Sequence, residues 1–241
     1  MEDRYDSIIL KGKYMKIGMI AAMPQELETF LSRTGTPDGV ESIRGYEIKK
    51  YRINDNMVFI TGSGAGEIAA AAAAQMLITK YDVDMIINFG VVGGLTEGMS
   101  LTKAVVIERL VHYDYDASPF YRDLVPAQYP EYESIYIYTD KTLLDIALSA
   151  SPKLAAVTCA SADKFIDSPD QKRILHEKYD ADICEMEAAG ILLTCNRCGV
   201  PALFIKAVSD AVSGGAEQFE EMIEKAAEVC VKIVMKITEG I

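Results

Sequence analysis

MVFITGSGAGEIAAAAAAQMLITKYDVDMIINFGVVGGL, residues 57–95, passes from an apolar run through glycines into an alanine-rich stretch, then into a second apolar run ending in glycines. The spacing predicts a strand over 57–63, a helix over 66–80 and a strand over 84–90. Six consecutive alanines, 69–74, favour helix and have little volume, so this helix can pack close to a sheet. Strand, helix and strand in succession form the repeating unit of an α/β domain.

The same alternation runs outward in both directions. Further strands are expected at 16–22, 103–108, 134–139, 155–161, 182–186 and 203–208. Further helices are expected at 24–34, 140–149, 169–179, 187–198 and 216–238. In the last of these, Phe219, Met222, Ile223, Ala226, Ala227, Val229, Cys230, Ile233 and Val234 fall at spacings that make an apolar stripe, which can cover a sheet face. With 241 residues, half of them apolar, and no spacer, residues 15–241 read as a single domain. Residues 1–14 read as an accessory extension without the apolar core and cleavage site of a secretory signal.

Composition narrows the partners. The chain carries 24 Lys and Arg against 36 Asp and Glu, a formal charge of −12, which repels a phosphate backbone and argues against nucleic acid. No apolar run approaches the roughly 18–20 residues needed to cross a bilayer, so no membrane partner is expected. Five scattered cysteines suit a reducing cytoplasm. Cys195 and Cys198 form a C-x-x-C, but that is also i,i+3 along a helix, and no second pair exists to complete a zinc site. His112 and His176 have no metal-ligand spacing, so neither metal nor cofactor is called for.

Three acids each follow an apolar strand: Glu26 after KIGMIAAMPQ, Glu187 at the end of ADICEME, Asp210 at the end of ALFIKAVSD. In open α/β sheets ligands sit beyond the carboxyl ends of strands, where such side chains can converge. Gly64, Gly66 and Ala69 satisfy G-x-G-x-x-A, a dinucleotide fingerprint. It is not on the first strand, however, and no acid closes a strand about 20 residues later. NFGVVGG, 88–94, reads as a second strand-to-glycine turn through which backbone can approach a ligand. Extended geometry through ICEME would place Ile183, Glu185 and Glu187 on one side of the chain. The Tyr- and Pro-rich stretch 112–133 lacks periodicity and reads as a pocket wall or subunit contact.

MKIGMIAAMPQE, the SGAG turn, NFGVVGGL, SADKFI, EMEAAG and LFIKAVSD occur in the order and spacing of the nucleoside phosphorylase and nucleosidase superfamily. Within it the chain resembles the 5′-methylthioadenosine/S-adenosylhomocysteine nucleosidases over residues 15–238. The resemblance implies an α/β/α sandwich around a mixed, partly barrel-like sheet, and a homodimer whose partner closes part of the pocket. It implies Glu26 as the base that activates water and Asp210 as the acid at purine N7, with Ser209 beside it. Glu187 would hold the ribose hydroxyls, Met186 would pack under the sugar, and Gly93 would border the ligand. Phe165 would stack on the base and Ile166 would read its edge through backbone groups.

The phosphorylases of this superfamily place arginines around phosphate. Here the first loop offers Ala22, Met23, Pro24, Gln25 and Glu26, and a carboxylate repels phosphate, so hydrolysis is expected. Two positions depart from the nucleosidase pattern: Val91-Val92 replaces Ser-Ala, and Lys206, carried over as substrate-binding, replaces an arginine and loses its planar fork. The reading is a cytoplasmic hydrolase of 5′-thio-substituted adenosines. A phosphate-dependent purine nucleoside phosphorylase and a catalytically weak nucleoside-binding homologue remain as alternatives.

Overall fold

The computed structural model describes residues 14–241; the extension expected over 1–14 lies, but for Tyr14, outside them. The described residues form one mixed sheet of ten strands. At its centre β5 (Met85–Gly94) is buried along its whole length. It lies parallel to β1 (Lys16–Ala21), which in turn lies parallel to β4 (Asn56–Gly62), so Ile20 stands opposite both Asn88 and Thr61.

The 88–94 segment is therefore not the turn expected from its glycines. It continues the strand, and the glycines mark close approaches. On its other edge β5 pairs with β10 (Ala202–Asp210), whose register shifts between Val208 and Asp210 so that Asp210 faces Gly93. Gly93 and Gly94 also pair antiparallel with Cys184 and Ile183 of β9 (Ile183–Glu185). A Cβ on Gly93 would sit 3.0 Å from Asp210 Oδ2 and from Cys184 Sγ, and one on Gly94 2.8 Å from Met99 Cβ. Side chains there would push the neighbouring strands away.

The sheet then closes on itself. β6 (Ala104–His112) pairs antiparallel with β10 and parallel with β8 (Ala155–Ser161), and β8 pairs parallel with β9. Strands β5, β10, β6, β8 and β9 form the barrel-like ring, from which β1 and β4 extend. Short β7 (Ile137–Tyr138) adds to β6.

Beyond β4 lies a hairpin absent from the sequence-based expectation, β2 (Gly39–Ile43) and β3 (Tyr46–Ile53), with β3 antiparallel to β4. Its residues are mostly half exposed, with only Ile48 and Tyr51 buried, so the apolar signal is thin. The turn signal was present: Arg44 and Gly45, both at positive φ (48° and 95°), make the two-residue connection that right-twisted hairpins favour.

Helices cover both faces. On one face α6 (Ala216–Gly240), α1 (Pro24–Thr34) and α3 (Lys141–Ala150) bury Val231, Val234, Phe30 and Leu143 against Met19, Ile87, Phe89 and Ile205. On the other, α2 (Glu67–Tyr81) and α5 (Ala188–Cys198) bury Ala70, Ala74, Leu77 and Leu192 against Ile20, Ile86 and Phe204. Odd and even residues of β1 and β5 thus feed different cores, as the two-residue period requires. Gly190 lets α5 lie against the start of α2, because a methyl there would collide with the Glu67 backbone. α4 (Pro169–Tyr179) closes a third, smaller cluster with Leu175 and Tyr179. All five cysteines are free, including Cys195 and Cys198 on α5, and no described helix is long and apolar enough to cross a membrane.

Candidate active site

The carboxyl ends of β1, β9 and β10 meet at one cavity, and the acids that follow them, Glu26, Glu187 and Asp210, all line it. Gly93, Phe165, Ile166, Met186 and Ser209 line it as well. Lys206 does not. It is buried, and its ammonium donates to Glu185 Oε2 at 3.2 Å, so it stands behind the carboxylates. The substrate contact expected for it is therefore corrected to a supporting position. No residue of 112–133 lines the cavity of the single chain, which removes the pocket-wall reading of that stretch for one copy.

Glu26 is the third residue of α1, with Pro24 in the first turn. Its carboxylate accepts from Ala22 N (3.0 Å) and Met23 N (2.8 Å) on Oε2, and from Val91 N (2.8 Å) on Oε1. Two are free N–H groups at a helix start, which favour a carboxylate. Burial nevertheless wins and raises the Glu26 pKa, opposed by the charge of Lys206 and by these three N–H donors. A methyl on Gly90 would collide with this carboxylate, so glycine is required there by close approach.

β9 ends at Glu185, and Glu187 has already turned (φ −133°, ψ −33°) at the start of α5. The one-sided alternation expected across 183–187 stops there. Glu185 turns back, accepting from Glu187 N (3.1 Å), Ala188 N (2.9 Å) and Lys206 Nζ on Oε2. Glu187 accepts from Gly66 N at 3.0 Å, across from the glycine turn before α2. Burial first, then the charge of Glu185, push its pKa up to about 7.

Asp210 is 2 % exposed and accepts on both oxygens: from Ser209 Oγ at 2.9 Å and from Lys172 Nζ at 2.5 Å. Sequence reasoning missed Lys172. The signal was available, because Lys172, Leu175 and Tyr179 share the inward face of α4, and a lysine on such a stripe has a buried partner. At the mouth Phe165 stands 40 % exposed, edge-on to Phe219 with centroids 5.5 Å apart, while Ile166 is buried beneath. A half-exposed ring over an apolar cavity is a platform for a planar base.

Away from the cavity, His112 Nε2 lies 2.8 Å from both Glu67 Oε2 and Asp114 Oδ1, and His112 Nδ1 lies 2.7 Å from the Tyr129 hydroxyl. Tyr129 stacks on Tyr115 at 3.8 Å. This network ties the aromatic stretch to the first turn of α2.

Residues 16–239 match the model of the phosphorylase superfamily. The chain belongs to that superfamily. It is 33% identical to the 5′-methylthioadenosine/S-adenosylhomocysteine nucleosidase of Maridesulfovibrio salexigens, over 92% of this chain and 98% of that one. It is 29% identical to the aminodeoxyfutalosine nucleosidase of Campylobacter jejuni, over 93% and 99%. Among solved structures, the Helicobacter pylori 5′-methylthioadenosine/S-adenosyl homocysteine nucleosidase superposes with a TM-score of 0.89 at 25% identity, covering 95% of this chain and all of that one. These superfamily relatives are nucleosidases, and this chain is an enzyme of their class, an N-glycosidic hydrolase with their barrel-like mixed sheet.

Proposed function

We propose that the protein hydrolyses 5′-thio-substituted adenosines, methylthioadenosine or S-adenosylhomocysteine, to adenine and the thioribose. The observation that carries this reading is four carboxylates, Glu26, Glu185, Glu187 and Asp210, around a cavity whose only lining cation, among the described residues, is Lys164. Phosphate entering there would face Glu26 without a guanidinium fork to hold it, whereas water suits a carboxylate base. In this reading Glu26 takes a proton from water, Glu187 accepts the ribose hydroxyls, and Asp210 protonates N7. Phe165 and Ile166 hold the adenine, with Met186 beneath the sugar and Ser209 and Gly93 beside Asp210. A homodimer in the cytoplasm belongs to the same proposal: Phe120, Tyr121 and Val125 are exposed in 112–133, as residues covering a partner's cavity mouth would be. Light scattering that gave only the monomer mass would remove this part.

The aminodeoxyfutalosine nucleosidase relative favours a second substrate, a futalosine, at the same site. One assay decides between them. Purified protein is given methylthioadenosine, S-adenosylhomocysteine or aminodeoxyfutalosine, each with and without phosphate, and free base and sugar are measured. Release of base without phosphate supports hydrolysis, and the ratio of kcat/KM values assigns the substrate. Release only with phosphate overturns the hydrolytic reading.

Two further results are expected at this site. Gly90→Ala should lower turnover about 100-fold, the scale of a misplacement near 1 Å, because the new methyl displaces the Glu26 carboxylate. Turnover within about threefold of wild type would remove Glu26 from the chemistry. The second concerns pH. Burial and the charge of Glu185 push the Glu187 pKa up from an ordinary 4.5 to about 7, so folding favours its protonated form, and its contribution to stability is lost as pH rises from 4.5 through 7. Ribose binding runs the opposite way, since a carboxylate accepts hydroxyl hydrogen bonds more strongly. KM should fall about tenfold between pH 6 and 8, and Glu187→Gln should flatten that step.

A further inference from the structure

Two lysines, Lys206 and Lys172, are nearly or wholly without exposed surface among the described residues. Lys206 serves Glu185, whereas Lys172 reaches Asp210 Oδ2 at 2.5 Å and the Ala211 carbonyl at 2.7 Å. Lys172 stands four residues beyond Ser168, the cap of α4, on the face that also buries Leu175 and Tyr179. Taking an ammonium out of water there costs several kcal/mol, and an apolar side chain of the same length would fill the space more cheaply. Lys172 does not line the cavity, so anything it does for the substrate passes through Asp210.

Asp210 poses the matching problem. Both oxygens already accept hydrogen bonds, from Ser209 and Lys172, whereas the proposed role needs a carboxyl that can give a proton away. We propose that Lys172 is a positioning residue that holds Asp210 toward the purine and supplies its proton, the two side chains sharing one proton between Nζ and Oδ2. The proposal rests on the nucleosidase reading above.

In the resting pair the proton is on Nζ. Its transfer to Oδ2 as the glycosidic bond begins to break leaves an amine and a carboxylic acid, both neutral. The acid passes the proton to N7 as the C1′–N9 bond breaks and its electron pair leaves on N9. Water oxygen bonds to C1′, and the proton it sheds goes to Glu26. After the products depart, Glu26 returns that proton to solvent and the Lys172 amine takes one up. Ser209, donating to Asp210 Oδ1, fixes the carboxyl plane throughout.

The test begins with wild-type protein and the preferred nucleoside without phosphate. If no base is released from any of the three nucleosides, the hydrolytic reading fails and this inference falls with it. With wild-type hydrolysis established, Lys172→Met should lower kcat about 100-fold or more while KM stays within about threefold, since Lys172 touches no substrate. Added methylammonium should restore at least about a tenth of the lost turnover to Lys172→Ala, saturably, while sodium chloride at equal ionic strength should not.

A double-mutant cycle covers the case in which the single variants fold poorly. In an Asp210→Asn background, Lys172→Met should cost less than about threefold further, because residues acting as one unit are not additive. Near-wild-type kcat in Lys172→Met overturns the role. So does folded Lys172→Ala that methylammonium leaves inactive, and so do losses that multiply in the double variant.

Discussion

Asp210→Asn is expected to lower turnover about 10²- to 10⁴-fold, the usual worth of a general acid. The amide keeps the shape: its oxygen can accept from Lys172, and its NH2 can donate to Ser209, whose hydroxyl accepts as readily as it donates. What it lacks is an acidic proton for N7. It also strips Lys172 of its counter-charge inside the protein, and breaking a buried pair from one side costs about 3–5 kcal/mol. The variant should therefore melt well below wild type while keeping a native circular dichroism spectrum at 25 °C. Adding Lys172→Met should recover much of the lost melting temperature without recovering turnover. Wild-type-like turnover in Asp210→Asn would remove Asp210 from the chemistry, and an unchanged melting temperature would mean the pair carries no weight in the fold.

The sequence was most legible where apolar residues recur at the element's own period between clear turn and cap signals. β8, α1 and α4 coincide with their expected limits, and β1, β4, α2, α3, α5 and α6 start and end within about two residues of them. Legibility failed in two physical situations. The β2–β3 hairpin sets Glu41 opposite Ile48 and joins Glu41 to Lys50 by an ion pair on an edge half open to solvent, so its stability comes from ladder hydrogen bonds and turn geometry that leave little apolar pattern. The glycines of β5 were read as a turn because glycine usually breaks strands. Gly90 and Gly93 instead make room for Glu26 and Asp210, contacts between segments far apart in sequence.

The site divided the same way. Strand position located Glu26, Glu187 and Asp210: β1 and β10 run parallel to β5, and antiparallel β9 lies across the carboxyl end of β5, so the three acids reach one cavity. It said nothing of what lies beneath them. The lysine in the arginine's place at 206 was assigned to substrate, yet it occupies the layer below with its charge on Glu185. Lys172 went unread because 24 lysines and arginines are not distinguishable from surface charge until a helix is known to turn one of them inward.

Glu26→Gln tests the other side of the sugar. The change removes the proposed base and should lower turnover by about 10²- to 10⁴-fold. In the proposed binding mode the purine lies by Phe165, Ile166 and Asp210, away from Glu26, so affinity for adenine should stay within about threefold. The amide also rearranges the hydrogen bonds. If its oxygen takes the place of Oε2, it accepts from Ala22 N and Met23 N, and its NH2 then meets the Val91 N–H, donor against donor. An unsatisfied buried donor costs about 1–3 kcal/mol. Against this, burial raises the Glu26 pKa, so wild type loses stability as pH climbs above the ordinary carboxylate range, and the neutral amide does not. The melting temperature of Glu26→Gln should therefore compare worst with wild type near pH 5 and draw level or better near pH 8. Turnover kept within about tenfold would exclude Glu26 as the base, and adenine affinity lost together with turnover would assign it to binding instead.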